Sequence, residues 1–99
     1  MKLTIDVQKG ETSTVKVGGH LDTNTAPELN DELEKLIPET GELVLDMDEL
    51  TYISSAGLRV LLRAQKAMAD KGSLRLIHVH EEIMDVLEVT GFTDFLTIE

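Results

Sequence analysis

The spacing of apolar residues changes along this chain, and the order of those changes constrains the fold more than any other feature. Leu3, Ile5 and Val7 alternate with Lys2, Thr4 and Asp6, the period of a half-buried strand. After a turn at Lys9-Gly10-Glu11, Val15 and Val17 alternate in the same way with neighbouring polar residues. Residues 2–18 are therefore predicted to form a hairpin that Gly18-Gly19 ends. From Ala26 the period becomes helical, with Ala26, Leu29, Leu33, Leu36 and Ile37 three or four apart where more than one turn is spanned. Thr25-Ala26-Pro27-Glu28 supplies an N-cap, a first-turn proline and a capping-box glutamate, and Pro38 and Gly41 stop the helix. Leu43-Val44-Leu45 is an unbroken apolar run, suited to a strand covered on both faces.

The alternation then repeats. Ser54-Ser55-Ala56-Gly57 opens a second helix with Leu58, Leu61, Leu62 and Met68 inward and Arg59, Arg63, Lys66 and Asp70 on the opposite stripe. Lys71-Gly72 closes it, and Leu74, Leu76 and His78 begin a strand. Glu81 to Val89 is a third helix with Ile83, Val86 and Leu87 inward and Gly91 as its C-terminal cap. Phe95, Leu96 and Ile98 form a last short strand. The order ββαβαβαβ implies an α/β fold: a mixed sheet of about five strands, an N-terminal hairpin, right-handed parallel crossovers and three main helices. At 99 residues the chain is one domain, 1–99, without linker or repeat.

Charge and composition narrow the function. Nine Lys and Arg against nineteen Asp and Glu leave a net charge of −10. Nucleic-acid binding depends on Lys and Arg displacing condensed counterions, so a nucleic-acid partner is not expected, and an anionic membrane surface is disfavoured too. A basic protein surface is favoured. With no cysteine there is no disulfide, thiolate metal site or cysteine nucleophile. The first ten residues alternate rather than forming the apolar core of a signal peptide.

The chemistry concentrates between Leu43 and Leu62. A buried strand runs into a loop, and two serines sit at a helix N-terminus, where free N–H groups and the helix dipole favour an anionic group. Serine is also a preferred N-cap, so on spacing alone Ser54-Ser55 reads first as a cap, and Gly57 as either a close approach or a packing contact.

This segment resembles the signature of STAS-domain anti-sigma-factor antagonists of the SpoIIAA and RsbV type. Asp46, Leu50, Tyr52-Ile53, Ser54, Ser55, Ala56 and Gly57-Leu58 occupy matching places, and Gly19-His20-Leu21-Asp22 with Thr25-Ala26 is similar to a second family motif. The resemblance implies a SpoIIAA-like STAS fold and a cytoplasmic, non-enzymatic regulator without cofactor or metal. It places the phosphorylated serine on Ser55 and partner contacts on Asp22, Thr25, Ser54, Ser55 and Gly57. Arg59, with Arg63 and Lys66, reads either as a solvated helix face or, on a helix beside Ser55, as a further partner contact. Ser54 stands where the family has aspartate, and His20 where it has glutamate. The implied partners are an anti-sigma factor with serine kinase activity and the GHKL ATP fold, and a phosphatase that reverses its action. Unphosphorylated, such a protein binds the anti-sigma factor and a sigma factor is released. The alternative is a STAS module of another bacterial assembly, a stressosome-like complex or an ABC lipid transporter.

Other groups read as structural. Asp22 also fits a turn or N-cap, and Asp46 and Asp48 fit loop solvation and turn bonding. His78 and His80 have strand spacing but no third ligand, so they read as solvent-facing. Met47, Met68 and Met84 read as packing residues. A hydrolase elbow needs Gly-x-Ser-x-Gly, and Ile53 replaces the first glycine; no P-loop is present.

Overall fold

The structure, a computed structural model, describes residues 2–99. Strands β1 (Leu3–Gln8) and β2 (Thr12–Leu21) form the expected antiparallel hairpin, with Leu3 opposite Gly19 and Gln8 opposite Thr14. The first stretch of β2 pairs in parallel with β3 (Glu42–Asp46), and its last residues pair in parallel with β4 (Leu50–Ile53). Strand β3 pairs with β5 (Ser73–Ile77), and β5 with β6 (Thr97–Ile98), both in parallel. Helices α1 (Ala26–Leu36), α2 (Ser55–Ala69) and α3 (Glu81–Val89) supply the connections. The strand order is β1-β2-β3-β5-β6, with β4 beside the far end of β2.

Alternation along the strands decides which face is buried. Val15 and Val17 of β2, Leu43 and Leu45 of β3 and Leu74 and Leu76 of β5 join one core with Leu29, Leu33 and Leu36 of α1 and Leu58, Leu61 and Met68 of α2. The other sheet face is polar: Glu42 accepts hydrogen bonds from Thr12 Oγ1 at 3.0 Å and Ser73 Oγ at 3.1 Å on the flanking strands. Val44 shares that face and is nevertheless buried, between Thr14 and Arg75, so all three residues of the Leu43–Leu45 run are covered as expected. Thr40 ties the start of β3 to the hairpin turn by donating to the Glu42 carbonyl at 2.8 Å, with the Gly10 and Glu11 carbonyls also within reach.

Four sequence expectations need correction. Gly18-Gly19 does not end β2; the strand continues to Leu21. Gly19 takes φ +86°, and a Cβ there would lie 2.1 Å from the Lys2 carbonyl oxygen, so glycine lets the strand bend against β1. The sheet has six strands where about five are expected, because β4 forms within the segment predicted as the loop before Ser54. Thr25 stands at the start of α1 but makes no side-chain cap, so the expected capping box does not form. The final strand is shorter, Thr97–Ile98, and Phe95 lies outside it with its ring exposed. Gly91 does take the left-handed conformation expected after α3, at φ +81°.

Candidate functional site

Strands β2 and β4 end side by side, with Leu21 opposite Ile53, and the Ser54 N–H donates to the Leu21 carbonyl at 2.9 Å. The two sequence motifs therefore leave the sheet at adjacent points, one through Asp22 into α1 and the other through Ser54 into α2. Both lie at carboxyl ends of parallel strands, where open α/β sheets place their sites.

The two serines divide the work. Ser54 has extended backbone, φ −102° and ψ 176°, and its Oγ accepts the Gly57 N–H at 3.4 Å, a long capping bond. Ser55 is the first helical residue, is exposed and takes no part in that bond. Gly57 is buried. A Cβ on it would lie 2.7 Å from Leu21 Cγ and 2.9 Å from Ile53 Cγ1, so its missing side chain is what lets the first turn of α2 rest on the ends of β2 and β4. It shapes the site as a packing contact.

The facing loop is closed by its own polar groups. Asp22 Oδ1 accepts the Asn24 N–H at 2.9 Å and the Thr25 N–H at 3.0 Å. Thr25 Oγ1 accepts the Asp22 N–H at 2.9 Å and donates to the His20 carbonyl at 2.7 Å. The bond from the Thr25 N–H, aided by that from Asn24, holds the Asp22 carboxyl below its ordinary value. Thr25 is buried, and its hydroxyl fixes the loop. Asp22 remains half-exposed beside Ser54, with its turn role and its surface both present.

Arg59 is exposed and, one turn beyond Ser55, lines a groove between α1 and α2 with Thr23, Pro27, Asp31, Ala56 and Arg63. Arg59, Arg63 and Lys66 form no ion pair among the described residues; the pairs found there are Lys9–Glu39, Arg75–Glu99, His78–Asp46 and His80–Asp48. A basic stripe on α2 thus lies in a strongly acidic chain, with exposed Asp31 and Glu34 of α1 lining the same groove.

Sequence reasoning did not assign His20 and Tyr52 to the site. They are paired across β2 and β4 with ring centroids 5.3 Å apart, and Tyr52 is 47% exposed. Each precedes an inward residue of the site, Leu21 or Ile53, so the rings lie on the sheet's other face; the signal was their common place in the two motifs. His78 leaves β5 in the left-handed region, φ +56°, and its Nδ1 meets Asp46 Oδ1 at 3.0 Å. His80 Nε2 meets the Asp48 carbonyl at 2.6 Å. His78 and His80 are exposed, as expected, but each is held to an aspartate, Asp46 at the end of β3 and Asp48 in the loop after it. Among the described residues no three His, Asp or Glu side chains converge on a metal position, and no helix is long and apolar enough to cross a membrane.

Comparison with known proteins agrees with this geometry. The family model described as "Mlab, STAS domain" matches residues 6–98. The anti-sigma-B factor antagonist of Bacillus subtilis is 28% identical over 99% of this chain and 92% of its own length. A crystal structure of an anti-sigma factor antagonist from Mycobacterium paratuberculosis superposes with a TM-score of 0.90 at 20% identity, covering 98% of this chain and 85% of that one. The Bacillus cell fate determinant SpoIIAA in its phosphorylated form gives 0.74 at 15% identity, covering 99% and 91%. With the six-stranded sheet, the three helices and the serine-bearing turn of α2 in a SpoIIAA-like fold, the chain belongs to the STAS domain family.

Proposed function

We propose that this chain is an anti-sigma factor antagonist that binds an anti-sigma factor with serine kinase activity while Ser55 is unmodified, and lets go when Ser55 carries phosphate. The observation that carries the reading is the exposed Ser55 hydroxyl next to a serine already committed to the helix cap. Relatives of this chain are named anti-sigma factor antagonists, and SpoIIAA exists in a phosphorylated form.

The chain supplies the acceptor and the kinase the rest. The Ser55 oxygen attacks the γ-phosphorus of ATP held with Mg²⁺ by the GHKL-fold kinase. The bond to the bridging oxygen breaks, ADP leaves, and the hydroxyl proton passes to the kinase's base. The product carries a charge of about −2. The start of α2 accommodates it, since helix N-termini favour anions. An interface made for a neutral hydroxyl, with Asp22 on the neighbouring loop, does not. A loss of ~4 kcal/mol weakens binding about a thousandfold. A phosphatase restores the hydroxyl by hydrolysis.

Incubation with the cognate kinase and Mg-ATP, followed by mass spectrometry, tests this: one phosphate is expected on Ser55 and none on Ser54, and the phosphorylated form should lose the kinase in calorimetry. Phosphate on Ser54, or equal affinity of both forms, refutes the reading. The family model that matches residues 6–98 is described as "Mlab, STAS domain" rather than as an antagonist, and this favours a second reading as a STAS module of another assembly. In that case Ser55 stays unmodified and the site binds a non-kinase subunit.

A further inference from the structure

We propose that Arg59 acts as an intramolecular clamp for the phosphate of modified Ser55, and that in doing so it leaves the groove between α1 and α2 that it lines in the unmodified chain. The inference rests on the phosphorylation of Ser55 proposed above and names what that modification does to the chain itself.

Ser55 and Arg59 are four residues apart on α2 and both exposed. Residues at that spacing are surface neighbours, with Cβ atoms roughly 5–6 Å apart. Helical side chains lean toward the helix N-terminus, so the Arg59 stem leans back over the turn that holds Ser55. An anion preceding a cation at this spacing is also the favourable order. Arg63 and Lys66 sit eight and eleven residues beyond Ser55, about 12 Å or more along the axis at ~1.5 Å per residue. Arg59 is therefore the basic residue of α2 within one turn of Ser55.

Its present surroundings do not satisfy it. Arg59 forms no ion pair among the described residues, although Asp31 lines the same groove from α1. Asp22, on the loop beside Ser54, has Oδ1 committed to the Asn24 and Thr25 amides. Arg63 lines the same groove one turn further on, a like charge that offers Arg59 no partner. The His20 ring, on β2, lies against Tyr52 with its centroid 5.3 Å away. A phosphate on Ser55 supplies the missing partner. The planar guanidinium donates two parallel N–H bonds to phosphate oxygens, a geometry that lysine lacks. Modification then changes two surface features at once: an anion appears at the start of α2, and a cation departs from the adjacent groove.

Phosphoserine installed at position 55 by codon expansion tests the clamp without any kinase, so its failure is distinguishable from failure of the kinase reading. Phosphorus NMR titration follows the second phosphate ionisation, which lies near pH ~6 without a partner. The native sequence is expected to ionise about half a unit lower than Arg59→Gln, a roughly threefold difference, with Arg59→Lys between them. The Arg59 Nε–H resonance, assigned by its absence in Arg59→Lys, should shift on phosphorylation. Unmodified Arg59→Gln should melt with the native chain, which keeps the comparison free of folding defects. Coincident titrations of native and Arg59→Gln, with an unmoved Arg59 Nε–H, overturn the clamp.

Discussion

Replacing Gly57 by alanine should destabilise the fold and displace the serine-bearing turn. The added Cβ would meet Leu21 Cγ at 2.7 Å, Ile53 Cγ1 at 2.9 Å and Leu21 Cδ2 at 3.0 Å, all inside normal carbon contact. Neither neighbour has somewhere to go: Leu21 is 0% and Ile53 5% exposed, and their strands are joined at this point by the bond from Ser54 N–H to the Leu21 carbonyl. Forcing a methyl into such packing costs about 1–3 kcal/mol. Alanine's better helix propensity returns at most ~1 kcal/mol, and less in a first turn than in a helix interior. A net loss of about 1 kcal/mol lowers the melting midpoint by roughly 4–8 °C for a domain of this size. Thermal and urea melts measure it, and amide shifts at Leu21, Ser54 and Ser55 report whether the turn moves. A Gly57→Ala midpoint equal to or above the native one would show that the turn has room, and the account of Gly57 as the residue that seats α2 on the strand ends would be wrong.

The neighbouring residues give sharper contrasts. Ser54→Ala should cost about 0.5–1 kcal/mol, the lower part of the capping range because the bond is long, whereas Ser55→Ala should leave the melting midpoint unchanged within ~0.5 kcal/mol; reversed values would exchange the roles of the two serines. Thr25→Val keeps the shape but strips the Asp22 N–H of its acceptor and the His20 carbonyl of its donor, so a loss of about 1–3 kcal/mol is expected in urea unfolding, and a neutral result would remove Thr25 from the loop's framework. Asp22 has a carboxyl held low in the folded chain, so its contribution is present above the unfolded value near ~3.9 and disappears as pH falls through the folded value. Melts from pH 7 to pH 2 should therefore show native and Asp22→Asn converging below about pH 4; parallel curves would mean that the loop does not stabilise the carboxylate.

Where the sequence could be read and where it could not has a local explanation in β2 and β4. The helices and the β1–β2 hairpin were legible because their apolar residues keep one period from end to end, as in Leu29, Leu33 and Leu36. Strand β4 was not, because its two inward residues, Leu50 and Ile53, are three apart instead of two or four. The register supplies the reason: Gly19 pairs with Leu50, but His20 pairs with Tyr52, so Thr51 is an extra residue whose hydroxyl donates to the Gly19 carbonyl at 3.1 Å. A bulge inserts one residue and reverses the facing of everything after it, which erases alternation in so short a strand. The same device explains why Gly18-Gly19 looked like a stop. Glycine commonly ends strands, but here Gly19 bends one past the bulge so that Leu21 and Ile53 finish level. The site depends on that: if the same four residues alternated from Leu50 without a bulge, Tyr52 rather than Ile53 would point beneath Gly57. Thr25 was misplaced for a related reason. Its position before an apolar helix predicts a cap, yet its hydroxyl turns back to His20 and Asp22, a contact set by the strand end and invisible in the spacing of the helix. The features around the site that sequence spacing missed are thus those in which two strands jointly fix a loop, and they are the ones that bring Asp22 beside the serines.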